Sequence, residues 1–175
     1  MSRPAGSSLT GILVGALVAM LLVTGVLVAA RARPSALDTN GKDAAAVQLT
    51  SQTARDAGLM AATGLTQNAL SYQWSSLRAD MAKAEAGMTP AFRKQYAETM
   101  AKVKSQTVKN QVVIEATVVA AGIVRATEHT FEALAFVNQT TRAKGTANTQ
   151  LNQSRVKVTL TRADGDWRIS RMDVY

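Results

Sequence analysis

The chain has 175 residues, no cysteine, one histidine, 5% aromatics and a formal net charge of +8. Without cysteine it has no disulfide, no thiolate metal site and no cysteine nucleophile. The positive charge favours anionic surfaces such as lipid headgroups, whereas a nucleic-acid site usually interleaves aromatics or carries a known motif, and neither occurs.

Residues 1–8 are a short polar stub. Leu9–Ala30 then runs without a charged residue, bounded by Arg3, Arg31 and Arg33. An α-helix needs roughly 20 apolar residues to cross a bilayer, so the sequence predicts a transmembrane helix over 9–30. A cleaved signal peptide is the alternative, because Val28-Ala29-Ala30 offers small residues at a cleavage point. Signal apolar regions are usually shorter, about 7–15 residues. Gly11 and Gly15 make a G-x-x-x-G pair that lets helices approach in lipid, although small residues are common in such helices anyway. Arg31, Arg33 and Lys42, taken alone, would hold the following domain in the cytoplasm. That bias is small, and long domains translocate largely regardless of charge.

Residues 31–41, RARPSALDTNG, read as a linker, with Pro34 and Asn40-Gly41 breaking regular structure. Residues 42–175 are long enough for one domain with a real core. A helical pattern starts near Lys42. Gln48, Gln52, Arg55 and Asp56 mark its polar face, and Val47, Ala54, Ala61 and Leu65 the opposite one. Gly58 and Gly64 each cost roughly 1 kcal/mol relative to Ala in a helix. This helix must therefore depend on packing, and its small residues would let it sit close to a sheet.

Tyr72–Ala86 reads as a second helix, with Trp74, Leu77 and Met81 apolar and Gly87 as its stop. Thr89-Pro90 starts a third: threonine caps free amides, and proline fits the first helical position. Phe92, Tyr96, Met100 and Val103 form its buried stripe, with Arg93, Lys94, Lys102 and Lys104 outside.

From Asn110 the apolar period becomes two. Val112, Ile114, Ala116, Val118 and Ala120 point one way, and Gly122 suggests a bulge. A second strand over 130–140 carries apolar residues on both faces, as a central strand would. Residues 141–154 read as a polar loop. The third strand alternates, with Val156, Val158 and Leu160 inward. Asp164-Gly165 is a hairpin turn signal. In the last strand, Trp167 and Ile169 are out of phase with Met172 and Val174, which a bulge near Ser170-Arg171 would reconcile. The predicted fold is α+β: N-terminal helices packed on one face of a curved four-stranded antiparallel sheet.

No catalytic, cofactor-binding or metal residue can be named. His129 lies between Glu128 and Glu132, but on a strand it would point away from both, and metal ligands must converge. No nucleophile elbow, phosphate loop or dinucleotide fingerprint occurs. Asn138 and Asn152 open glycosylation triplets, which are frequent by chance.

The segments Ala86–Tyr96 (AGMTPAFRKQY), Val112–Val124 (VVIEATVVAAGIV), Glu132–Arg142 (EALAFVNQTTR) and Arg155–Val174 (RVKVTLTRADGDWRISRMDV) follow the anchor in order. As a set they resemble the mammalian cell entry (Mce)-associated membrane proteins of mycobacteria and related actinobacteria. The resemblance implies a cone-shaped, nuclear transport factor two-like α+β domain, a fold also found in the periplasmic domain of a type IV secretion component. It implies a single-pass protein of the cell (inner) membrane, with the N-terminus cytoplasmic and the domain extracytoplasmic. It also implies a non-enzymatic accessory role in assembly or stability of an Mce-type lipid importer. The implied partners are Mce complex subunits and their permease, with membrane lipid around the anchor, no nucleic acid, no cofactor, and self-association left open. Three other readings stay open at this point: a cone that binds a lipid or small apolar ligand, a type IV secretion-like inner-membrane scaffold, and an isomerase- or hydratase-like enzyme. The enzyme would need a His or Asp inside the cone.

Overall fold

The structure is a computed structural model that describes residues 51–146 and 148–175. The predicted membrane helix, the linker and the helix start near Lys42 lie outside the described residues. Among the described residues no helix is long and apolar enough to cross a membrane.

The elements run α1 (Gln52–Leu70), β1 (Tyr72–Gln73), α2 (Leu77–Ala86), α3 (Pro90–Lys109), β2 (Val113–Ala126), β3 (Thr130–Arg142), β4 (Gln150–Ala163) and β5 (Asp166–Val174). The strands form one antiparallel meander in the order β1-β2-β3-β4-β5. The fold is therefore α+β with helices on a sheet, as expected, but the sheet has five strands rather than four. The additional strand is β1. Tyr72 and Gln73, read from sequence as the start of a helix, pair instead with Ile114 and Val113. Trp74 is left exposed in the turn that follows, its N–H donating to Val112 O at 2.9 Å. The helix begins only at Leu77, where Asp80 Oδ2 accepts from Gln73 N–H (3.0 Å) and Ser76 Oγ (2.8 Å) and holds the turn closed.

The helix starts behave as their residues dictate. Ser51 Oγ accepts from Ala54 N–H and Thr89 Oγ1 from Phe92 N–H, with Pro90 in the first turn of α3. The buried face of α1 is Gly58, Ala62, Thr66 and Ala69. That is rotated slightly from the expected Ala54, Ala61 and Leu65, of which Ala61 and Leu65 still pack against the core edge. A stripe of small residues tells the helix to approach closely but leaves its rotation to the opposing sheet.

Two bulges in β2, at Val119 and Val124, replace the single one expected at Gly122. Each inserts a residue and resets the alternation. The inward set therefore runs Ile114, Ala116, Val118 and then Ala121, Ile123 and Ala126, with Ala120 exposed rather than inward. The polar loop is shorter than expected. Gln150 to Ser154 are the first residues of β4 and pair with Thr141 to Val137. The expected bulge in the last strand is present: Thr159 pairs with Arg171 and Leu160 with Ile169, so Ser170 is the extra residue. Asp164 (φ 54°) and Gly165 (φ 88°) form the tight turn before it, the left-handed pair that a two-residue hairpin needs.

The main core lies between α1 and the inner sheet face, with Phe131, Met88, Val156, Val158, Leu160 and Ile169 fully buried. A second cluster, Tyr72, Leu77, Met100, Val103, Val112 and Ile114, closes the space between β1, α2 and α3.

Candidate functional site

The inside of the cone is closed by side chains. Phe131 projects from β3 against Gly58 of α1, where even a methyl group would meet its ring. Trp167 tilts against Phe131 at 5.8 Å between centroids, and Arg162 covers Trp167 at 5.4 Å. An open depression of about 500 Å³ remains at the mouth, lined by residues including Ala61, Gly64, Leu65, Ala86 and Trp167.

Among the described residues, the buried polar residues are Thr66, Thr107, Thr127 and Thr141 and, on β5, Asp173, whose carboxylate accepts from Arg171 Nε at 2.9 Å. Thr66 Oγ1, Tyr72 OH, Tyr96 OH and Thr107 Oγ1 are buried without a hydrogen-bond partner. Burial pushes the Tyr72 phenol up to about 12, against a smaller lowering effect of Thr107. Tyr96 is held well above its ordinary range, first by burial and then by the negative charge that Tyr72, Glu85 and Asp80 would place near it. Both phenols therefore stay neutral at any physiological pH.

His129 was expected on a strand between Glu128 and Glu132. It lies instead with Glu128 in the exposed turn between β2 and β3, and its carbonyl accepts from Arg162 N–H at 3.0 Å. Only Glu132 is on a strand. Among the described residues no three of His, Asp and Glu are grouped to hold a metal ion. Asn138 and Asn152 stand on β3 and β4, where Asn138 Oδ1 accepts from Gln153 Nε2 at 3.1 Å.

The surface is more informative than the interior. The open edge of β2 beyond β1 is partly covered by side chains from α1 and the residue after it. Ala116 N–H donates to Ser71 Oγ and Val118 N–H to Gln67 Oε1, both at 2.9 Å. On β5, Ile169 is paired through Thr89 N–H and Gly87 O. These contacts blunt both sheet edges, which otherwise invite strand pairing. The outer sheet face is solvated but not uniformly polar. Val119 and Val124 are both 57% exposed and Phe136 is 44% exposed. Sequence reading missed this patch because β2 reads as one alternating run until its bulges are seen.

No protein-family model matches the chain, and no curated protein matches its sequence. Solved structures do. An IcmL-like type IV secretion system protein from Legionella pneumophila aligns over 69% of this chain and 91% of its own, at TM-score 0.60 and 10% identity. The periplasmic domain of DotI aligns over 74% of this chain and 98% of its own, at TM-score 0.60 and 14% identity. The VirB8 protein of Agrobacterium tumefaciens aligns over 70% and 90%, at TM-score 0.54 and 11% identity. The described residues thus have the α+β cone seen in these secretion proteins. At such identities the likeness is one of fold, and function must be argued from the surfaces.

Proposed function

We propose that the chain is a membrane-anchored, non-enzymatic scaffold whose domain lies outside the cytoplasm and docks on other proteins of an envelope assembly, in the manner of type IV secretion components. The observation that carries this reading is the agreement of the fold over 91% and 98% of the length of two secretion-related chains. The interior supports it. Its unpartnered buried polar atoms are hydroxyls, the buried Asp173 is paired with Arg171, and the space that an isomerase-like cone would need for substrate is occupied by Phe131 and its neighbours. The blunted edges support it too, since they leave sheet and helix faces, not strand pairing, as the means of contact. The apolar run over 9–30 would supply the anchor. A role beside an Mce importer and its permease rests on the sequence resemblance alone, and the matched structures do not bear on it.

The test is affinity purification of the tagged full-length chain from crosslinked, gently solubilised native membranes, with co-purifying proteins identified. Secretion-channel subunits are the expected result. Mce and permease subunits would move the scaffold to a lipid importer. Recovery of the chain alone, with crosslinking proven on a neighbouring complex, would sink the scaffold reading.

A further inference from the structure

An antiparallel sheet with helices on one side usually presents polar residues on the other. Here the outer face departs from that rule along β2 and β3. The register sets Phe136 opposite Ala120 on one side and Arg155 on the other, and Leu134 opposite Gly122 and Lys157. Residues directly opposite one another share a face. The bulged Val119 and Val124 add exposed hydrocarbon beside this strip. The middle of the β2–β3 half of the face is therefore apolar, flanked by Glu115 at one end and Arg125 and Glu132 at the other, and the adjoining β4 row carries Arg155 and Lys157.

The charges sharpen the reading. Arg142 is paired with Glu115 at 3.2 Å and Arg171 with Asp173 at 2.9 Å. Arg155 and Lys157, which flank the apolar strip, are in none of the ion pairs found among the described residues. Exposed valine and phenylalanine beside unpaired Arg and Lys is the chemistry of a surface that rests at a lipid headgroup boundary, with hydrocarbon entering the interface and cations meeting phosphates. A second copy of the chain would bring the same cationic surplus, since Glu115 and Asp173 on this face are already paired and Glu132 lies opposite Arg125.

Chain geometry permits this contact, with α1 itself packed on the inner face. Gly58, in the second turn of α1, sits against Phe131, whose partner Ala126 ends β2. The chain from the expected anchor thus enters the domain near the end of the two strands that carry the apolar strip. Residues 31–50, fully extended at about 3.4 Å each, reach at most ~70 Å. The face therefore meets the bilayer as an intramolecular event at high effective concentration.

We propose that the outer sheet face, with Val119, Val124, Leu134 and Phe136 beside Arg155 and Lys157, lies on an anionic phospholipid leaflet and fixes the orientation of the domain at the membrane. This rests on the anchored reading above. Each basic side chain close to an anionic leaflet strengthens attachment about fivefold.

The absence of cysteine allows single fluorescent labels on the full chain. The labels go at Val124→Cys and Phe136→Cys, with Gln95→Cys on the exposed face of α3 as control. The chain is reconstituted in phosphatidylcholine vesicles with or without about one third phosphatidylglycerol, and quenching by spin-labelled lipid is read. The expected result is several-fold stronger quenching at 124 and 136 than at 95 in anionic vesicles only. It should be lost at high salt and in the Arg155→Glu, Lys157→Glu variant. Equal quenching at all three positions overturns the proposal. So does shielding of position 124 from aqueous iodide without lipid quenching, which would mean contact with a second copy or another protein. An alkaline carbonate wash separates the two readings. Release of the chain would refute the anchor, and flotation of the released chain with anionic but not neutral vesicles would still uphold the face. No flotation would overturn both.

Discussion

Gly58 and Gly64 lie in the same helix, and replacing each by alanine should move stability in opposite directions. Alanine in a helix interior is favoured over glycine by about 1 kcal/mol. At Gly64 a methyl group would meet nothing within 4 Å, so Gly64→Ala should stabilise by up to about 1 kcal/mol. At Gly58 a methyl would stand 3.0 Å from Phe131 Cζ and closer to two other ring carbons. Phe131 is fully buried and pinned by Trp167, so the ring has nowhere to move. Overpacking of this kind costs about 1–3 kcal/mol, which leaves Gly58→Ala destabilising by up to about 2 kcal/mol after the helical gain. Urea denaturation of the intact chain in mild detergent, followed by tryptophan fluorescence, measures both. The midpoints should separate by up to about 1 M for a slope of roughly 2–3 kcal/mol/M. In a Phe131→Leu background the cost at Gly58 should largely vanish, giving a coupling of at least ~1 kcal/mol. Midpoints that shift together, upward and equally, would refute the account of how α1 seats on the sheet.

Three further outcomes follow from single contacts. Gln67→Ala removes the acceptor of Val118 N–H and leaves an edge amide open. It should cost about 1 kcal/mol and abolish hydrogen-exchange protection at Val118 while sparing Val137. Thr89→Ala removes the cap of α3, whose bond to Phe92 N–H is long at 3.5 Å; a loss of about 0.5–1 kcal/mol is expected, with Thr89→Ser close to wild type. Tyr72 titrates near 10 when unfolded and at about 12 when folded. The folded state keeps the proton longer, so this contribution is complete below pH 10 and is lost as pH rises toward 12. At pH 11 the loss is about 1.4 kcal/mol, and Tyr72→Phe should flatten the fall in unfolding free energy between pH 9 and pH 11 by about that amount.

Features enforced by neighbours along the chain were legible before any fold was known. Thr89-Pro90 starts a helix because both residues act within one turn. Asp164-Gly165 makes a two-residue turn because both tolerate positive φ. The conflict of phase between Ile169 and Met172 located the bulge at Ser170, because strand periodicity leaves no other way to bury both. Tertiary structure alone decided features whose cause lies far off in sequence. β1 exists only because Ile114 and Val113 offer Tyr72 and Gln73 a ladder. The polar start of β4 is a strand only because β3 extends beside it. The bulges of β2 fall at Val119 and Val124, where no glycine marks them, because the sheet must keep Ile114, Ile123 and Ala126 on one side. Those same bulges turn two valines outward beside Phe136. The surface feature with the most functional content is thus a product of cross-strand register, which no local pattern in this chain encodes.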